Sequence, residues 1–157
     1  MVRRKKAKTA TLVLVAILLV LALVMPGRVV LDSSSTLLER LCYPFMHATL
    51  LHALCNCWCL LSIVFVYDTS ALMLLSSYLC SVSVPAFVIT GPTVGFSGAC
   101  FFLLGRCSWL VLRRAYFHAW AAAFMGMGFL IPNCAAWIHV YCYAIGVVVG
   151  YVISLRR

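Results

Sequence analysis

The sequence predicts an all-α, polytopic membrane protein: six transmembrane helices in a single domain covering residues 1–157. Three observations carry that expectation. Hydrophobic residues make up 66% of the chain and charged residues 10%, whereas a soluble domain is nearer half apolar and a quarter charged. The apolar residues fall into runs of hydrocarbon length separated by short turns rich in Pro, Gly and Ser, with a mean hydropathy of +1.11; at about 20 residues per spanning helix no large soluble domain fits beside them. With the N-terminus inside, six spans return the C-terminus inside, and ten of the twelve Lys and Arg then lie on the cytoplasmic side, only Arg28 and Arg40 outside. The positive-inside rule favours that count over five or seven spans.

Each element follows from the local sequence. Arg3, Arg4, Lys5, Lys6 and Lys8 precede an apolar run over 9–25 that ends at Pro26-Gly27. A secretory signal peptide begins in the same way, but this run is long and has no small-x-small cleavage pattern before the Pro-Gly, so it reads as the first span. A polar link over 26–45 holds Asp32, Glu39 and a short interfacial helix at 37–41. The second span covers 46–66, followed by a turn of Tyr67, Asp68, Thr69 and Ser70 with helix-capping residues. The third covers 71–89, with Pro85 expected as a kink. The fourth covers 96–112, with Arg106 expected to snorkel toward the cytoplasmic face. After Arg113-Arg114 comes a short fifth span over 117–131, carrying Gly126 and Gly128. Pro132-Asn133 breaks the chain before a sixth span over 134–155.

Composition also excludes function classes. The net charge of +9 is not gathered on a face of a folded domain, so nucleic acid is not an expected partner. The nine cysteines lie mostly in apolar runs, where Cys acts as a small hydrophobe. Cys55, Cys57 and Cys59 alternate around a helix, which is poor ligand geometry, and neither metal nor cofactor is expected. Cys42 and Cys134 both fall on the predicted outer side, where a bridge between them would fit.

Against this apolar background a few polar residues stand out. His52 and Asn56 lie in the outer half of span two and share a helical face. Ser97 lies in the first turn of span four, and His139 in the first turns of span six. All three spans enter from outside, so these groups share one leaflet and a similar depth. His47, five residues before His52, would point elsewhere on a continuous helix and is placed at the helix start. Gly98 and Gly105 on span four, and Cys142, Gly146 and Gly150 on span six, form small-residue stripes that permit close helix packing. That packing would bring the Ser97 hydroxyl to the His139 ring. A serine needs a base to become a nucleophile, and the first turn of a helix offers unpaired N–H groups to an oxyanion. His52 and Asn56 are further oxyanion donors.

Asp32, Glu39 and Asp68 are the only carboxylates and none lies in a span, so the inference is a Ser–His dyad rather than a triad. A Ser–Lys dyad is excluded because no lysine follows Lys8. An aspartyl protease would need two aspartates in spans, and the His-Glu-x-x-His pattern of metalloproteases is absent. Other readings stay beside this one. Taken alone, Ser97 would bond its own preceding turn, and His52 with Asn56 would be interhelical glue. Tyr143 also fits the spacing to Gly146 and Gly150, but His139 is preferred as the base. His118 falls at the cytoplasmic end of span five and reads as structural.

Together these residues resemble the rhomboid intramembrane serine proteases. His47, His52 and Asn56 reproduce the family's second-span spacing; Gly95, Ser97, Gly98 and Gly105 match its Gly-x-Ser-Gly motif and later Gly; and His139, Cys142 and Gly146 match its sixth span, with Cys where Gly is usual. The resemblance covers residues 43–151. It implies a rhomboid-like bundle in which Ser97 is the nucleophile, His139 the base, His52, Asn56 and the Ser97 amide the oxyanion site, and His47 a support for the outer loop. The implied partners are transmembrane protein substrates, cut near the outer face of a cell membrane. Three departures stand out. Phe101 replaces a Tyr that often stacks on the catalytic His, Cys142 is bulkier than Gly and would loosen spans four and six, and the 26–45 link lacks a Trp-Arg motif. The alternative is an inactive rhomboid-like protein that binds membrane helices; such proteins usually lose the Ser or His that this chain keeps.

Overall fold

The structure, a computed structural model, describes residues 2–67, 69–131 and 134–156. Asp68, the Pro132-Asn133 break and Arg157 lie outside the described residues, as do the side chains of Arg3, Arg4, Lys5 and Lys6. The architecture is all-helical. The helices are α1 (Val2–Val24), α2 (Leu37–Cys42), α3 (Leu50–Val66), α4 (Ala71–Val82), α5 (Ser97–Cys107), α6 (Arg114–Gly128) and α7 (Ala136–Ser154), with 3-10 turns at Tyr43–Phe45 and Ala86–Val88. Leu31 and Thr93 form an isolated antiparallel bridge.

Among the described residues two helical segments, Ala7–Val24 and Ala136–Ser154, are long and apolar enough to cross a membrane. A third joins them if Leu37–Phe45 and Leu50–Val66, bent by 84°, count as one span. α4 and α5 are apolar but shorter than the spans expected over 71–89 and 96–112. Pro85 ends α4 instead of kinking it. The Ser83 N–H still reaches Leu79 O at 3.1 Å, but a residue that precedes proline is pushed out of the helical region. At the end of α5 the Ser108 hydroxyl donates to Gly105 O at 2.7 Å. The N–H groups of Trp109 and Leu110 then reach back three residues, to Arg106 and Cys107, and the helix tightens and stops.

Other boundaries follow from caps. Thr49 is extended (φ −143°) and its hydroxyl accepts the His52 N–H at 3.1 Å, so α3 begins at Leu50 rather than at 46. α2 forms where a short helix is expected at 37–41, started by a capping box between Thr36 and Glu39. Ser70 caps α4. α6 begins at Arg114, ahead of the expected 117, and ends at Gly128. Arg106, expected to snorkel, is enclosed by protein near the ends of α5 and α7. It is 9% exposed and its Nη1 has no hydrogen-bond partner among the described residues. Its backbone lies against Gly150 of α7, so the side chain starts inside the bundle.

The long helices alternate in direction. Ser81 at the end of α4 meets Tyr43 and Gly98, and Gly128 at the end of α6 meets Ala136. Gly27, just past α1, bonds His47 O at 3.0 Å. The ends of α1, α4 and α6 therefore gather at the starts of α3, α5 and α7. Lys8 over the Phe65 ring and Arg114 over the Trp109 ring mark the opposite end. The buried core centres on α5, with Ala99, Leu103 and Cys107 fully enclosed, while Leu12, Trp58, Leu72 and Val148 remain exposed on outward faces. Apolar side chains spread over that much surface suit contact with lipid.

The loops at the site end are tied together. Leu31 and Thr93 exchange both backbone bonds, at 2.8 and 2.9 Å, and Gly95 N–H reaches Tyr43 O at 3.2 Å. Arg40 Nη1 donates to Val84 O at 2.7 Å. The half-buried Asp32 accepts from the Ser34 hydroxyl and the Ser34 N–H, which holds its carboxyl below the usual carboxylate range.

Candidate active site

The site is built on the seam between α5 and α7, the most extensive helix contact in the molecule. The two helices run in the same direction. A methyl group placed on Gly105 would overlap the Tyr143 carbonyl, and one on Gly146 would overlap the Phe102 carbonyl. At Gly150 it would lie 2.9 Å from Arg106 O. Backbone meets backbone along this stripe, which is what small residues permit. Cys142 does not loosen the seam: it is fully buried, and its sulfur fits beside Gly98.

This close approach fixes the functional side chains. Ser97 occupies the first position of α5 and His139 the fourth of α7. Ser97 Oγ and His139 Nε2 are 2.8 Å apart. With the ring proton on Nδ1, the hydroxyl donates to Nε2. Phe101, one turn after Ser97, stacks on the His139 ring with centroids 4.4 Å apart and planes 21° from parallel. Phe124 of α6 stacks on Phe101 at 6.0 Å. Tyr143, the alternative base by spacing, instead bonds His118 at 2.8 Å, well down α7 from Ser97.

The α3 residues close the other side. His47 precedes the helix, so its ring folds over the first turn rather than pointing away. It is fully buried and meets the His52 ring edge-on, 5.0 Å between centroids. The Asn56 carboxamide donates to His47 Nε2 at 3.0 Å, and its second N–H remains available. Gly95 makes this convergence possible. It has φ +115°, a conformation glycine adopts readily, and a Cβ there would lie 2.8 Å from the His52 ring and 3.2 Å from Asn56 Nδ2.

A cavity of 510 Å³ brings His52, Asn56, Ser97, Phe101 and His139 onto one surface. A second groove of 830 Å³ runs between α3 and α6, lined by Leu54, Trp58, Trp120 and Phe124, and it too reaches Asn56 and Ser97. Two residues here carry no signal in the sequence. Phe124 lies in both spaces. The bridge expected between Cys42 and Cys134 does not form: both are free thiols, and the Cys134 sulfur lies 4.0 Å from His139 Nδ1.

No protein-family model, curated protein or solved structure matches this chain.

Proposed function

We propose that this chain is an intramembrane serine endopeptidase of the rhomboid type. In this reading six helices (α1 and α3 to α7) span a cell membrane with both termini cytoplasmic, and the site faces the outer leaflet. The observation that carries the reading is the 2.8 Å approach of Ser97 Oγ to His139 Nε2 within a cavity that also receives His52 and Asn56. A hydroxyl, a ring nitrogen and an amide are costly in hydrocarbon unless they serve one another or a reaction.

The chemistry follows from the geometry. Ser97 Oγ attacks the scissile carbonyl carbon as its proton passes to His139 Nε2. The carbonyl oxygen becomes an oxyanion that accepts from the free Asn56 N–H, the His52 ring N–H and the Ser97 backbone N–H. His47 holds the Asn56 amide in place by accepting its other N–H. His139 then gives its proton to the leaving amine and the peptide bond breaks. Water, deprotonated by His139, attacks the acyl-serine and releases the second product.

The apolar groove between α3 and α6 supports a transmembrane helix as substrate. It opens along the bundle's side and leads to Ser97, so a helix in the bilayer can reach the site laterally. The test is cleavage of a helical transmembrane reporter by the purified protein in liposomes. The wild type is expected to cut it and Ser97→Ala to leave it intact. Equal cleavage by Ser97→Ala, or binding of the reporter without cleavage by the wild type, overturns the proposal; the second result identifies an inactive helix-binding protein.

A further inference from the structure

The second nitrogen of His139, Nδ1, faces away from Ser97 and has its own partner. His139 Nε2 can take the Ser97 proton only if the ring's own proton sits on Nδ1, and in histidine the bond made by one nitrogen sets the state of the other. In triads a carboxylate holds that proton, but among the described residues no carboxylate bonds the His139 ring. Among the described residues the Cys134 sulfur is what Nδ1 meets, at 4.0 Å.

The fold places this thiol with some definition. Cys134 N–H donates to Ile131 O at 3.2 Å, and Cys134 O accepts from Ala136 N–H at 2.9 Å, so two backbone bonds hold the residue just ahead of α7. Gly128 of α6 makes room for the sulfur: a Cβ there would lie 3.2 Å from Sγ. The residue is only partly buried and lines both the dyad cavity and a neighbouring one of 220 Å³. Sulfur is a weak but real acceptor, and hydrogen bonds at active sites are often long before substrate closes the site.

We propose that Cys134 is a positioning residue for His139. Its sulfur accepts the Nδ1–H, holds the imidazole in the tautomer that serves Ser97, and steadies the imidazolium formed when the Ser97 proton moves. The thiol stands where a triad has its acid and acts through the histidine, without touching substrate. This inference rests on the serine-protease reading of the site.

The test is the rate at which a fluorophosphonate probe labels Ser97 in the purified full chain. Cys134→Ala is expected to label about 3- to 10-fold more slowly, the worth of one modest hydrogen bond, with unchanged thermal unfolding. Cys134→Ser keeps an acceptor and is expected to recover most of the rate; a purely structural role would not give that rescue. If Cys134→Ala fails to fold, methyl methanethiosulfonate treatment makes the same test: labelling is expected to slow in the wild type but not in Cys134→Ser. Unchanged labelling in Cys134→Ala, or equal effects of the reagent on both proteins, overturns the positioning role while leaving the protease reading intact. Absence of any Ser97 labelling in the wild type overturns both.

Discussion

Helices α5 and α6 meet α7 in different ways. α5 lies on α7 backbone to backbone, so closely that added methyls at Gly105 and Gly146 would collide with carbonyl groups. α6 leans on α7 near Gly128 and through the His118–Tyr143 bond, and a Cβ on Gly126 would meet nothing within 4 Å. The tight seam holds the Ser97–His139 pair, while the loose flank borders the apolar groove that reaches it. A hydrolase acting on helices needs both: atoms held to a fraction of an ångström, and a wall that can yield to a large apolar partner.

Substitutions on either side can break this contrast. Gly146→Ala strikes the seam and is expected to have the largest effect. Overpacking should cost about 1–3 kcal/mol, and displacement of the dyad should lower turnover by about 100-fold or more; thermal unfolding in detergent and reporter cleavage measure the two. Asn56→Ala leaves the seam intact and removes one oxyanion donor. Turnover is expected to fall by about 10- to 1000-fold, with substrate binding largely kept; wild-type turnover would take Asn56 out of the site. Thr49→Ala removes the cap that sets the start of α3, at about 0.5–2 kcal/mol in the unfolding transition. Gly126→Ala on the loose flank is the mildest: cleavage should be unchanged and stability should rise by at most about 1 kcal/mol. Destabilisation by Gly126→Ala equal to that of Gly146→Ala would remove the distinction between the two regions.

Much of the site was legible in the sequence because its residues are out of place in apolar runs. Ser97, His139, His52 and Asn56 stand out by polarity alone, and Gly98, Gly105, Gly146 and Gly150 by spacing. The reach of His47 to Asn56 was not legible, since it depends on α3 starting at Leu50, after the His. Helix lengths were also overread: hydropathy does not register the Ser108 bond that stops α5 or the effect of Pro85 on the residue before it. The burial of Arg106 and the Cys134–His139 contact are tertiary facts. A thiol beside an imidazole leaves no periodic trace, and Cys134 looked like any outer-face cysteine. The bridge of Leu31 to Thr93 joins two loops with no pattern in common.

Activation of Ser97 by His139 can be read from mass spectrometry of the fluorophosphonate-treated protein. A single phosphonyl adduct mapped to Ser97, formed far more slowly in His139→Ala, is the expected result. A wild-type protein that stays unmodified, that carries the adduct on another serine, or that reacts equally fast without His139 would contradict it.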